Sequence, residues 1–256
     1  MNNDELEVSR AEIPYLFRYR SDNDFTIDEI KNNYIYFANS EKLNDPFDAS
    51  HKLVNIDDND KSVKKSIEFL KSKLTDKLSI DYFEEKFGNK KDFLEFVKKG
   101  VIEFINYTGI ACFSISPLNI MLWANYCNNH QGVCVQYNTE NDKTFFNGIR
   151  NVEYVRDLNR INYSIGDGDN EALLKIFHTK LELWRQEYEI RLLKNPPGIH
   201  TLNPIAIRSV IFGLRTSDDF REKIVNVVKS NQPHIKIYNS ELMEDGFGLT
   251  LTQLII

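Results

Sequence analysis

Hydrophobic residues in this chain recur with two different periods, and the switch between them constrains the fold more than any single motif. Short aromatic and β-branched runs occupy 13–20 (IPYLFRYR), 34–40 (YIYFANS), 109–116 (GIACFSIS), 132–138 (GVCVQYN) and 188–193 (YEIRLL). The clearest of them alternate, which is the pattern of a strand with two unlike faces. Between the second and third runs, residues 61–107 follow a helical period instead. Val63, Ile67, Leu70 and Leu74 share one face there, as do Phe93, Phe96, Val97, Val101 and Ile105. Strands on both sides of a helical block predict one α+β unit over residues 1–256, with a helical insertion at about 55–108.

Local signals fill in the rest. A helix is expected over 24–33, with Thr26 as its cap, Glu29 completing a capping box and Asn32-Asn33 at its end. Asn44-Asp45-Pro46 marks a turn in the loop 41–50. Pro117 opens a helix over 117–127. Residues 139–170 read as loop, with GDGDN (166–170) the most flexible point. One helical stripe follows at Leu173, Phe177, Leu181 and Trp184. The tail reads strand, helix, strand, with Ser217 capping the helix.

Composition narrows the function classes. Hydrophobic residues make up 41% of 256 and charged residues 27%, so a sizeable core is available. A net charge of −6 argues against affinity built on blanket phosphate neutralisation, and the lysine pairs of 61–107 read as solvated helix faces. The start, MNNDELEVSRAEIPYL, has no apolar stretch of a secretory signal, and no run approaches the ~20 residues of a membrane span. A cytoplasmic protein without a membrane partner is expected. Cys112, Cys127 and Cys134 then read as free thiols; a zinc site from these and His130 would need a spacing that matches no familiar ligand pattern.

The segment WRQEYEIRLL (184–193) carries the densest chemistry. Read as a strand, it sets Arg185, Glu187, Glu189 and Arg191 on one face. Two readings stand: a charge ladder on a surface strand, worth ~0–1 kcal/mol per exposed pair, or the edge of an active site. Arg18 and Arg20 of FRYR also share a face and can either pair with those glutamates or hold an anion. Asn44, Asp45 and Asp48 either cap their own turn or enter a pocket. Trp123 and Tyr126, three apart on a helix, suit a core. His130, in NNHQG, suits a turn cap or a proton-transfer role.

The segments LFRYRS, YFANSEKLNDPFD, ACFSISPLNIMLWANYCNNHQGVCVQY and KLELWRQEYEIRLL, with SVIFGLR near the end, resemble in order the bacterial domain-of-unknown-function family 2971. The order of elements also resembles the ADP-ribosyltransferase fold. That resemblance implies a split, curved mixed β-core gripping NAD as substrate, in a transferase or NAD glycohydrolase of the kind found in bacterial toxins and phage-defence effectors. Carried over by motif, it makes Arg18 or Arg20 the pyrophosphate ligand and Ser114 or Ser116 the serine before a helix. Glu189 becomes the carboxylate beside the ribose, and Glu187 the residue acting on the acceptor. Tyr36, Phe37 and Tyr126 are the aromatic candidates for the nicotinamide, with Asn44, Asp45 and His130 as further candidates. No S-T-S triplet is present, and no His opens the first strand. Glu189→Gln is expected to leave folding nearly unchanged, as for a cleft-facing position. The acceptor, whether protein, nucleic acid or water, is left open. Two other classes remain: a non-enzymatic sensor or partner-binding module, and a metal-dependent nuclease built on Asp45, Asp48, Glu187 and Glu189.

Overall fold

The computed structural model describes residues 14–166 and 171–255; the acidic start of the chain and most of GDGDN lie outside these. In chain order the elements are β1 (Tyr15–Arg20), α1 (Asp24–Asn32), β2 (Tyr34–Phe37), β3 (Val54–Ile56), α2 (Asp60–Lys71), α3 (Lys77–Phe87), α4 (Lys90–Asn106), β4 (Gly109–Ser114), α5 (Ile120–Tyr126) and β5 (Val133–Asn138). There follow β6 (Arg150–Asn151), β7 (Glu153–Val155), β8 (Ile161–Tyr163), α6 (Glu171–Ile176), β9 (Thr179–Leu181), β10 (Glu189–Lys194), β11 (Gly198–Thr201), β12 (Ile207–Phe212), α7 (Asp218–Asn231), β13 (Lys236–Leu242) and β14 (Leu249–Leu254). No helix among the described residues is long and apolar enough to cross a membrane.

Eight strands form one mixed sheet in the order β14-β13-β12-β5-β1-β4-β10-β6, with β12 and β13 parallel and the other pairs antiparallel. Alternation along β1 explains how its two faces are covered. Leu16 packs with Ile30 of α1 and Ile224 and Val228 of α7, while Phe17 and Tyr19 pack with Trp123 on the α5 side. The expected strand at 34–39 departs from the sheet. β2 pairs with β11 instead, and is joined to the main sheet by the bridge between Ala38 and Ile110. Its Tyr36 carbonyl is taken by the Arg18 guanidinium at 2.9 Å, so a side chain stands where a neighbouring strand would.

The helical block falls at 60–106 as three helices, inside the expected 55–108. Phe93, Val97, Val101 and Ile105 of α4 are buried against Ala49, Leu53, Leu173 and Phe177. Phe96 departs from its stripe and is 39% exposed, stacking on Phe87. Asn33 ends α1 in the left-handed region as expected, and Ser217 caps α7 by accepting from the Phe220 amide. The α1 cap differs: Asn23 accepts from the Thr26 amide, because the Thr26 hydroxyl is turned back to the Ser21 carbonyl. The helix expected over 117–127 begins only at Ile120, capped by Asn119, so Pro117 precedes it. The helix expected over 171–184 stops at Ile176, and the chain continues as β9 and then a 3-10 segment, Glu182–Glu187.

Because α4 shares its core with segments far away in the chain, the insertion and the sheet should unfold together. Ile105→Ala removes a side chain that is 1% exposed and is expected to cost ~2–5 kcal/mol, read as a single shifted denaturation midpoint. Two separate transitions would show the annex to be independent.

Candidate functional site

β1 and β4 are neighbours, yet they pair at one position only, Phe17 with Ser114. A cavity of about 220 Å³ opens between them. One wall is Arg18 to Arg20 of β1, and another is Ile110, Cys112 and Ser114 of β4. Lys42, Asn44, Asp45 and Asp48 enter from the loop after β2, Tyr126 from α5, and Lys180, Glu187, Glu189 and Arg191 from the segment around β10. Ser114 pairs with both Phe17 and Glu189, so β1 and β10 lie two strand spacings apart, about 10 Å between backbones.

The centre of the site is an ion network closed to solvent. Arg191 is fully buried. Its Nε donates to Glu189 Oε1 at 2.7 Å, and its Nη1 donates to Asp48 Oδ1 at 2.7 Å and to the Phe177 carbonyl at 2.8 Å. Lys180 donates to Glu187 Oε2 at 2.6 Å and to Glu189 Oε2 at 3.1 Å, and lies 4.7 Å from the centre of the Trp184 ring. The Tyr126 hydroxyl donates to Glu187 Oε1 at 2.7 Å. Three carboxylates face two cations, so the cluster carries one surplus negative charge. Burial alone would push the Glu189 carboxyl up, but Arg191 and Lys180 outweigh it and hold it at about 2. Burial would lower Lys180, and Glu189 and Glu187 raise it instead. For Tyr126, burial and then Glu187 both push the phenol up.

The cationic wall is held differently. Arg18 pairs with Glu29 of α1, and Arg20 Nε lies 2.8 Å from the same carboxylate. Neither arginine pairs with Glu187 or Glu189. Both come from the α1 side of the sheet, and they reach the cavity because β1 and β4 part beyond Phe17. Two guanidiniums share one carboxylate there, leaving a surplus positive charge opposite the surplus negative one.

Most of the candidates read from sequence gather here: Arg18, Arg20, Ser114, Tyr126, Asn44, Asp45, Glu187 and Glu189 all line the cavity. Asp45 satisfies both readings, since Oδ1 accepts from the Phe47 amide while the residue is buried at the cavity wall. Four candidates lie elsewhere. Phe37 is fully buried in the main core, so it is no lid. Tyr36 stands behind the lining, its hydroxyl accepting from Lys42 and its carbonyl from Arg18. Ser116 Oγ accepts from the Leu118 amide. His130 lies in a turn of three left-handed residues, Asn128 to His130, stacked 6.1 Å from Trp123, and Trp123 itself is core. Arg185 leaves the expected ladder and pairs with Glu182.

Sequence reasoning missed Lys180, which lies within the segment read as one helix, and Glu29, read only as a capping residue. Lys180 bears on the nuclease alternative: its ammonium already fills the place between Asp48, Glu187 and Glu189 that a metal would need. No group of His, Cys, Asp and Glu among the described residues is arranged to hold a metal ion. Cys112 meets Glu189 in the cavity, while Cys127 and Cys134 are buried beside Trp123, so the three thiols do not converge. No family model, no curated protein and no solved structure matches this chain.

The burial of Glu189 overturns the expectation that Glu189→Gln spares folding. Both Glu189 oxygens face only donors, so the amide nitrogen of Gln would meet an N–H. A cost of ~1–3 kcal/mol is expected. Arg191→Gln should cost more, ~3–5 kcal/mol, because it leaves Asp48 and Glu189 buried without their partner. Glu189 has a depressed folded pKa, so its contribution is present above its unfolded pKa of ~4.3. That contribution is lost as pH falls toward the folded value of about 2. Denaturant titrations between those limits should show falling stability in the wild type and a flatter profile in Glu189→Gln. Equal profiles would remove Glu189 from the network.

Proposed function

We propose that the chain is an NAD-consuming enzyme of the ADP-ribosyltransferase type, acting in the cavity between β1 and β4. The observation that carries this reading is the gathering of two arginines, Ser114 and two glutamates from three separate segments onto one gap in a mixed sheet.

Cleaving the nicotinamide–ribose bond develops positive charge on the ribose, and a preorganised carboxylate stabilises it. Glu187 suits that role better than Glu189. Each Glu187 oxygen accepts one hydrogen bond, from Tyr126 or Lys180, and keeps lone pairs for a ribose hydroxyl. Glu189 is occupied by Arg191 and Lys180 and serves to hold Lys180 under Glu187. The surplus negative charge of the cluster favours the cationic end of NAD, and the surplus positive charge at Arg18 and Arg20 favours its pyrophosphate. A volume of about 220 Å³ suits the nicotinamide and its ribose, with the remainder leaving past exposed Lys42. With water as acceptor, the products are nicotinamide and ADP-ribose; with a nucleophilic side chain or base, ADP-ribose is transferred.

Glu187→Gln is the clean test. Its carbonyl oxygen can still accept from Lys180, and its amide can donate to the Tyr126 hydroxyl, so the fold keeps its hydrogen bonds while the charge is lost. NAD loss and label transfer are measured per folded molecule. A fall of about 10²–10³ in rate is expected, as for loss of one preorganised electrostatic group. Wild-type protein that neither binds NAD in calorimetry nor consumes it, or a variant as active as wild type, would overturn the reading.

A further inference from the structure

β14 ends the eight-stranded sheet among the described residues, so one side of its backbone has no strand beside it. The opposite edge is blunted: β6 has two residues, and its Arg150 is tied to Glu171. β14 carries none of the devices that keep an edge from pairing, which are short length, charge, proline or a bulge. It has six residues, and the stretch 247–255, FGLTLTQLI, holds neither charge nor proline. On a chain of net charge −6 the strip itself is uncharged, with the Glu241 carboxylate of β13 tied to the Thr252 hydroxyl at 3.0 Å beside it.

We propose that β14 pairs antiparallel with β14 of a second copy about a two-fold axis at Leu251, so that the sheet continues across the axis. The register follows from geometry. A two-fold normal to the sheet keeps each face on its own side, and opposed residues must share a face. The axis therefore passes through a residue, not between two. Centred on Leu251, it sets Thr250 against Thr252 of the second copy, a favourable cross-strand pair, and Leu249 against Gln253. Phe247, in the bend that precedes the strand, and Ile255, just after it, each lie four residues from the centre. These are the two most exposed large apolar side chains among the described residues, at 110% and 99%. Apolar residues spaced evenly about Leu251 complement their own copy under this two-fold, which singles out a second copy over an unrelated partner. With one open edge per copy, the assembly closes at two.

Sedimentation and light scattering on the full chain at about 100 µM, above the μM dissociation constants that modest interfaces reach, should give twice the 30.0 kDa chain mass. Thr250→Lys and Phe247→Ser, both at exposed positions, should each return the protein to 30.0 kDa with unchanged circular dichroism. Under mild oxidation Leu251→Cys should cross-link to a dimer, because opposed residues in an antiparallel pair lie about 4.5–5.5 Å apart at Cα, within disulfide reach. Thr250→Cys, which faces Thr252, should cross-link far less. A monomeric wild type overturns the proposal. So does a dimer that survives both surface substitutions, cross-linking stronger at 250 than at 251, or open-ended aggregates in place of a discrete dimer.

Discussion

The Arg191 guanidinium, fully buried among two carboxylates and a backbone carbonyl, is the interaction on which the rest of the site depends. Taking a charged group out of water costs several kcal/mol, and only partners with good geometry offset that. Arg191 finds them in Asp48 from the loop after β2, Phe177 from the end of α6, and Glu189 two residues earlier on its own strand. The distant loop after β2 and the end of α6 are thereby held to one point on β10. The same demand sets their paths: the loop must turn at Asn44-Asp45-Pro46 to bring in Asp48, and the helix must stop where its last carbonyls serve other groups. Phe177 gives its carbonyl to Arg191, and His178 gives its own to the Glu153 amide at 2.7 Å. A helix running on to Trp184 would have kept both carbonyls for itself.

The gap between β1 and β4 is the second consequence of buried charge. A strand pair normally closes by satisfying each backbone group with its neighbour. Here Arg18 and Arg20 face α1, where Glu29 waits, and the Arg18 guanidinium also takes the Tyr36 carbonyl. On β4, Ile110 bonds through its backbone to Ala38, so this end of β4 turns to the β2 segment and away from β1. The sheet stays continuous at Phe17 and Ser114 and opens beyond them. Charge of opposite surplus then faces the opening from its two sides, which is what a ligand with a cationic and an anionic end would meet.

Much of this was legible in the sequence, for reasons that can be named. Alternation in EYEIRLL predicted that Glu189 and Arg191 share a face, and they do. The aromatic runs predicted strands, and four of the five stand in the main sheet. The turn chemistry of LNDPFD predicted a turn, and Asp45 makes one by accepting from the Phe47 amide. What alternation and periodicity do not carry is which charge meets which. Glu29 follows Thr26 at capping-box spacing, so its pairing with two arginines from β1 had no local sign. Lys180 lies in a stretch whose apolar spacing fits a helix, and the carbonyl competition that ends the helix is tertiary. Phe37 and Tyr36 are neighbours in an alternating run, and only the packing of β2 against β11 decides which of them is core.

The backbone between the two glutamates shows how far the site departs from a plain strand. Two residues apart on an extended chain, side chains on one face start about 6–7 Å apart and run parallel. Glu187 and Glu189 nevertheless meet on one ammonium. Tyr188 makes this possible: it adopts the left-handed conformation, with φ of 46°, at the junction of the 3-10 segment and β10. For a residue with a bulky side chain that conformation costs on the order of 1–3 kcal/mol. The kink swings the Glu187 carboxylate toward Tyr126 and Lys180 and leaves the Tyr188 ring 56% exposed. The bonds from Tyr126 and Lys180 to Glu187 offset the strain, so position and strain are set by the same groups. A carboxylate held in this way cannot relax toward water without giving up both bonds, which is the preorganisation that the proposed reaction asks of the group facing a developing positive charge.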